Sequence, residues 1–207
     1  MNGDNRRFTV LIVCAVIIAA AFFGITQEMK KYTDVYSGTL RFHVLANSDS
    51  EEDQKLKLAV KDAVILHVSE EMNRCKTKEE AENYIRENKA EIEAVAKAVI
   101  EENGADHTVN LTVTREYYPR KTYGEVTLPA GEYDSVRILL GDAEGQNWWC
   151  VLFPQVCTDT ATPAEERLSE AGFTSAQIRL LTDEEKPTYK IKFKILELFS
   201  AFITRQR

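Results

Sequence analysis

The residues best suited to chemistry gather in a polar turn, Asn47-Ser48-Asp49-Ser50, with His43 just before it and Asp53 just after it. Histidine, serine and a carboxylate are the groups that nucleophilic hydrolysis uses as base, nucleophile and orienting acid. One hypothesis is therefore a hydrolase built on His43, Ser48 and Asp53. Serine and aspartate at the start of a helical pattern also cap helices, so a structural role for the turn is the alternative.

The elements on either side position this turn. Residues 39–46 alternate apolar and polar side chains, which predicts a strand that ends where the turn begins. Ser50 and Asp53 have the spacing of a capping box, so a helix is expected to run from there to about Met72. Three charged residues step by four along this helix and predict a solvated, charge-paired face: Asp53, Lys57 and Lys61.

Downstream, the pattern predicts a second helix and then several strands. Thr77 and Glu80 form another capping box, and helical spacing continues from there to Gly104, a natural stop. Beyond it the period becomes two. The predicted strands cover residues 109–114, 122–128, 133–140 and 148–153, of which the last is apolar enough for a central strand.

The C-terminal part adds helices to this sheet. Pro163 and the acids after it start a short helix that ends near Gly172, and residues 189–203 fit either a strand or a frayed helix. The order of elements predicts an α+β fold: two long helices and C-terminal helices packed on a mainly antiparallel sheet, preceded by an N-terminal hydrophobic export or anchor helix.

The segment from Phe8 to Thr26 carries no charge and is almost long enough to cross a bilayer. It predicts export of everything that follows it. Ala19-Ala20-Ala21 offers small residues to a signal peptidase, so a cleaved signal and a retained anchor both stay open. The expected organisation is a signal or anchor at 1–26, a linker at 27–38 and one extracytoplasmic domain at 39–207.

Charge and motifs narrow the function classes. The net charge of −7 argues against nonspecific binding to nucleic acid. The chain lacks a P-loop, a dinucleotide fingerprint, the G-x-S-x-G motif of hydrolases and the H-E-x-x-H motif of zinc proteases. Its histidines and cysteines do not have metal-ligand spacing. We therefore expect no cofactor, no metal and no small-molecule substrate.

Cys150 and Cys157 bracket a short segment that contains Pro154, and in an oxidising compartment they can form a local disulfide. Cys75 would then remain free or buried. Next to Cys150, Trp148 and Trp149 should point to opposite faces of a strand, so that one enters the core and the other is available as a binding anchor, unless both faces are covered.

Three motifs in order resemble the stage II sporulation protein R family of endospore-forming Firmicutes. They are RFHVLANSDSxxDQxLK at Arg41–Lys57, YDSVRILLG at Tyr133–Gly141 and NWWCVLFPxxC at Asn147–Cys157. The resemblance covers most of residues 39–157, and the hydrophobic segment before it also fits the family.

The resemblance implies a signalling protein rather than an enzyme. Such a protein would be made in the forespore, exported into the space between the two sporulation membranes, and would activate a membrane-embedded aspartic protease, stage II sporulation protein GA. That protease would then process the precursor of sigma factor E in the mother cell. The residues expected to contact this partner are Arg41, His43, Asn47, Asp49, Asp53 and Trp148.

Overall fold

A computed structural model describes residues 3–156 and 162–182. It confirms the α+β class: helices pack on a mainly antiparallel sheet, and a long apolar helix precedes them. The predicted helix or strand at 189–203 and the position of Cys157 lie outside the described residues.

The N-terminal helix α1 runs without interruption over Gly3–Ser37. One stretch of it, Phe8–Ser37, is long and apolar enough to cross a membrane. Its apolar side chains face outward on all sides; Ile18 and Phe22, for example, are each 68% exposed. The segment expected as a linker is the last part of this helix, and its end is docked: Val35 is fully buried and the Tyr36 hydroxyl donates to the Ala130 carbonyl at 3.0 Å.

Four strands form the main sheet: β1 (Leu40–Leu45), β2 (Val109–Tyr118), β5 (Gly131–Leu140) and β6 (Asn147–Phe153). Their order is β2-β5-β1-β6, and only the central pair, β1 with β5, is parallel. The predicted strand at 122–128 is instead a separate hairpin of β3 (Lys121–Tyr123) and β4 (Val126–Leu128).

Three helices cover one face of the sheet: α2 (Glu51–Arg74), α3 (Lys78–Glu87) and α4 (Lys89–Glu102). Both predicted caps form, because the Asp53 N–H donates to Ser50 Oγ and the Glu80 N–H donates to Thr77 Oγ1. The second predicted helix is divided at Asn88, which ends α3 and begins α4. Phe42 and Val44 point from β1 into the core beneath these helices.

The opposite face is covered too, but only over part of its length. The end of α1, the β3–β4 hairpin, α5 (Ala164–Glu170) and α6 (Ser175–Thr182) enclose a second, smaller core. Its buried members are Val35, Val126, Leu128, Val151, Val156, Ala164, Leu168, Phe173 and Leu181.

Two predictions were wrong: that the apolar strand lies at the centre of the sheet, and that the charged row on α2 faces solvent. The apolar strand β6 lies at an edge of the sheet, and its residues are apolar because both of its faces are covered. The row of charges on α2 is not a solvated face: Asp53 and Lys57 are buried. This row faces the loop before β6, where Lys57 Nζ donates to the Gln146 carbonyl at 3.0 Å.

Candidate functional site

Asp53, in the first turn of α2, is the centre of a hydrogen-bond network at the polar turn. Its Oδ2 accepts from Ser48 Oγ at 2.5 Å and from Asn47 Nδ2 at 2.8 Å. Its Oδ1 lies 2.8 Å from Nε2 of His107. The network joins the turn, the helix and the loop before β2; Asp53 itself is only 9% exposed, while Asn47, Ser48 and His107 are half-buried.

These contacts set the charge of Asp53. The hydrogen bond from Ser48, helped by those from Asn47 and His107, holds the pKa of Asp53 at about 2 in spite of its burial. The carboxylate is therefore ionised at neutral pH and a weak base. His107 was missed in the sequence because it is 54 residues from Asp53 and no motif surrounds it.

Backbone N–H groups of the loop between β5 and β6 donate hydrogen bonds to side chains of the same turn. The Asp142 N–H donates to Asn47 Oδ1 at 3.0 Å, and the Gln146 N–H donates to Asp49 Oδ1 at 2.7 Å. A Cβ atom at Gly145 would collide with the Ser48 carbonyl, so this close approach requires glycine. Asn47 and Asp49 thus hold the loop in place.

The geometry does not match the chemistry of a serine hydrolase. In a catalytic triad the imidazole lies between the serine and the carboxylate and takes the serine proton. Here the carboxylate of Asp53 lies between Ser48 and His107. His43 belongs to another network on the opposite face of β1, so the three predicted catalytic groups are not brought together.

Arg41 fills the centre of that opposite face and is 0% exposed. Its guanidinium lies 4.2 Å from the ring centroid of Tyr118, 5.1 Å from that of Tyr133 and 5.4 Å from that of Tyr123. Nη2 donates to the Tyr123 hydroxyl at 2.7 Å, while Nε and Nη1 have no hydrogen-bond partner among the described residues. Burial lowers the pKa of Arg41, but arginine stays charged in proteins.

Next to Arg41, His43 and Glu116 form a largely buried hydrogen-bonded pair. Nδ1 of His43 lies 3.2 Å from Oε1 of Glu116, which also accepts from the Tyr118 hydroxyl at 2.9 Å. Burial alone would raise the pKa of Glu116, but hydrogen bonds from His43, Ser135 and Tyr118 bring it to about 2. This second carboxylate is also ionised at neutral pH.

The two tryptophans do point to opposite faces, and both are half-buried. The Trp148 ring packs at 6.2 Å from Phe42 on the helix side, with Lys61 Nζ 4.9 Å from its centroid. The Trp149 ring packs at 5.8 Å from His43 and 6.0 Å from Tyr118 on the other side.

The six predicted contact residues therefore differ in accessibility. Arg41, His43 and Asp53 are buried, so their side chains do not form an outer surface. Asn47 and Trp148 are half-buried and Asp49 is exposed. That any of them contacts a partner stays a prediction.

Cysteine and metal chemistry adds little to this picture. Cys150 is 1% exposed, and its predicted disulfide with Cys157 stays a prediction because Cys157 is outside the described residues. Cys75 carries a free, half-buried thiol whose pKa is raised, mainly by burial. Within residues 3–156 and 162–182 no cluster of three histidine, cysteine or acidic side chains could hold a metal ion.

We expect Asp53→Ala to lower the free energy of unfolding by about 2–3 kcal/mol, because Ser48, Asn47 and His107 all lose their buried acceptor. Urea denaturation of the full chain in detergent, followed by tryptophan fluorescence, measures the change. Asp62→Ala on the same helix is the control, since its side chain is 70% exposed, and it should change the free energy by under about 0.5 kcal/mol. Equal effects of the two substitutions would contradict a structural role for the network.

Fold and site define a class: an α+β body carried on an N-terminal apolar helix, with its buried polar groups used to brace loops and strands. The comparisons with known proteins identify the family. A model of the family described as "Stage II sporulation protein R" matches residues 37–162. The chain is 42% identical over 159 residues to Stage II sporulation protein R of Bacillus subtilis (strain 168), which covers 74% of this chain and 71% of that protein.

The chain therefore belongs to the stage II sporulation protein R family, and a role in sporulation follows from that membership. No solved structure matches it.

Proposed function

We propose that this chain is an exported sporulation signal. It is made in the forespore, crosses into the space between the two sporulation membranes and activates the membrane-embedded aspartic protease, stage II sporulation protein GA. The protease then processes the precursor of sigma factor E in the mother cell. The observation that carries this proposal is the family match over residues 37–162.

Two features of the described structure support a non-catalytic, extracytoplasmic role. The apolar helix α1 is exposed over its whole hydrophobic length, which suits a signal or an anchor in a bilayer. Ser48 and Asp53, which a hydrolase would use, are hydrogen-bonded to each other, while His43 lies against Glu116. An activator needs only a rigid body that binds the active state of the protease better than its inactive state.

The test is reconstitution of the signal. Full-length chain is produced together with the protease and the sigma factor precursor in a cell that does not sporulate, and cleavage of the precursor is followed on immunoblots. We expect cleavage only when all three proteins are present. Absence of cleavage with three well-expressed proteins would refute the proposal.

The same assay separates the activator from the hydrolase. Ser48→Ala and His43→Ala variants, shown to be folded by near-ultraviolet circular dichroism, should support cleavage of the precursor within about twofold of the wild-type level. Loss of more than about 100-fold in Ser48→Ala that is folded under the assay conditions is the result expected of a lost nucleophile and would favour the hydrolase.

A further inference from the structure

A groove opens beside the edge strand β6, between the β3–β4 hairpin and the start of α5. It has a volume of about 870 Å³. We call it the tryptophan groove and define it by Lys121, Tyr123, Asn147, Trp149, Pro163 and Arg167, all of which line it. Of the residues first predicted as contacts, Trp148 also lines this groove, and the other five do not.

The aromatic walls of the tryptophan groove are held in place from behind. Trp149 packs edge-on against the rings of His43 and Tyr118. The Tyr123 hydroxyl accepts from buried Arg41, whose guanidinium also lies over its ring. Aromatic side chains fixed before binding lose little conformational entropy when a partner arrives, and such residues dominate binding energy at protein interfaces.

The groove is positively charged in an otherwise acidic chain. Lys121 and Arg167 line it against a single acid, Glu125, although the whole chain has a net charge of −7. Behind Tyr123 lies Arg41, and the described residues give no carboxylate ion pair to Arg41, Lys121 or Arg167. Glu116 interacts electrostatically with Arg41 behind the tyrosine rings, so the positive charge that faces the groove comes from Lys121 and Arg167.

We propose that the tryptophan groove is the surface that binds the partner, and that it takes a peptide segment carrying carboxylates beside an aromatic or aliphatic side chain. The apolar side chain packs against Trp149 and Tyr123, and the carboxylates face Lys121 and Arg167. This inference rests on the proposed function, because the partner in question is the extracytoplasmic part of the protease.

The experiment measures binding and activation separately. Full-length chain in detergent is titrated onto membrane vesicles that contain the protease, and precursor cleavage is scored in the reconstituted cells. Lys121→Glu reverses an exposed charge in the groove, and Trp149→Ala removes the anchor. Lys55→Glu is the matched control, because Lys55 is on α2 across the sheet and its side chain is 73% exposed.

We expect Lys121→Glu to weaken binding about tenfold at low salt and less at high salt, since a charge at the rim acts over a screened distance. Trp149→Ala should weaken binding on the order of 30-fold, the effect typical of a central aromatic anchor. Cleavage should fall with both variants, and Lys55→Glu should match the wild type. Because Trp149 also packs against His43, Lys121→Glu keeps the test valid if Trp149→Ala fails to fold.

The outcomes separate this inference from the proposed function. Wild-type binding and cleavage with folded Lys121→Glu and Trp149→Ala would overturn the groove and leave the activator intact. If wild-type chain binds without causing cleavage, activation is refuted while the binding series still decides the groove. Absence of wild-type binding refutes both. Binding to purified cell-wall glycan is measured with the same variants. If the groove variants lose binding to the glycan but keep binding to the protease, the groove is a glycan site and the inference is overturned.

Discussion

Arg41→Ala is expected to lower the free energy of unfolding by about 3 kcal/mol or more. The side chain is fully enclosed by Tyr118, Tyr123 and Tyr133, so alanine leaves a cavity lined by three rings and removes the donor to the Tyr123 hydroxyl. Urea denaturation of the full chain in detergent gives the change, with tryptophan and tyrosine fluorescence as the signal.

Arg41→Met tests which property of the arginine matters. Methionine keeps most of the volume and removes a buried charge that contacts no carboxylate directly, so we expect a change of less than about 1 kcal/mol. A loss of stability as large as that of Arg41→Ala would show that the contact of the charged guanidinium with the tyrosine rings, rather than the volume of the side chain, stabilises the fold. No loss with either substitution would contradict the tight enclosure of Arg41.

Acidification should destabilise the protein steeply between about pH 5 and pH 2. The pKa of Asp53 falls from 3.8 to about 2 on folding, and that of Glu116 from 4.5 to about 2. Because both values are lower in the folded state, their stabilisation is complete above the unfolded values and is lost as the pH falls through the folded ones. Each group contributes on the order of 2–3 kcal/mol across this range.

The pH dependence of urea denaturation measures this effect, and paired variants apportion it. Asp53→Asn and Glu116→Gln should each have a lower free energy of unfolding at pH 7 than the wild type. In each variant the change in the free energy of unfolding between pH 5 and pH 2 should be about half of the wild-type change. Asp62→Asn, at an exposed position, should keep the full difference. A flat profile for the wild-type chain would show that neither network is ionised as described.

Short-range signals explain how much of the fold the sequence predicts. Ser50 and Thr77 cap helices through contacts three residues away, and Gly104 ends α4 with a φ of +75° that glycine tolerates. Alternation in β1 correctly separates Phe42 from Arg41. Each of these features depends on a few neighbouring residues, so a single sequence is enough to predict it.

Long-range pairing explains the rest. Alternation places Arg41 on one face of a strand but does not reveal that Tyr123, 82 residues later, covers that face. The same holds for His107 and Asp53, and for the loop whose backbone binds Asn47 and Asp49. For this reason the polar turn resembled a catalytic or contact site in the sequence, although its side chains brace the fold.

The uninterrupted helix α1 joins the apolar segment rigidly to the folded α+β body, and this limits how the body can approach other molecules. Val35, buried in the second core, is only nine residues beyond Thr26, the end of the apolar run, or about 14 Å of helix. If α1 lies in a bilayer, this short, stiff helical segment fixes the distance and the tilt of the folded body relative to the membrane surface. The body then reaches other membrane proteins by diffusion in two dimensions. A chain cut at Ala19–Ala21 would instead diffuse with Phe22, Phe23 and Ile25 exposed, and would favour apolar surfaces and self-association.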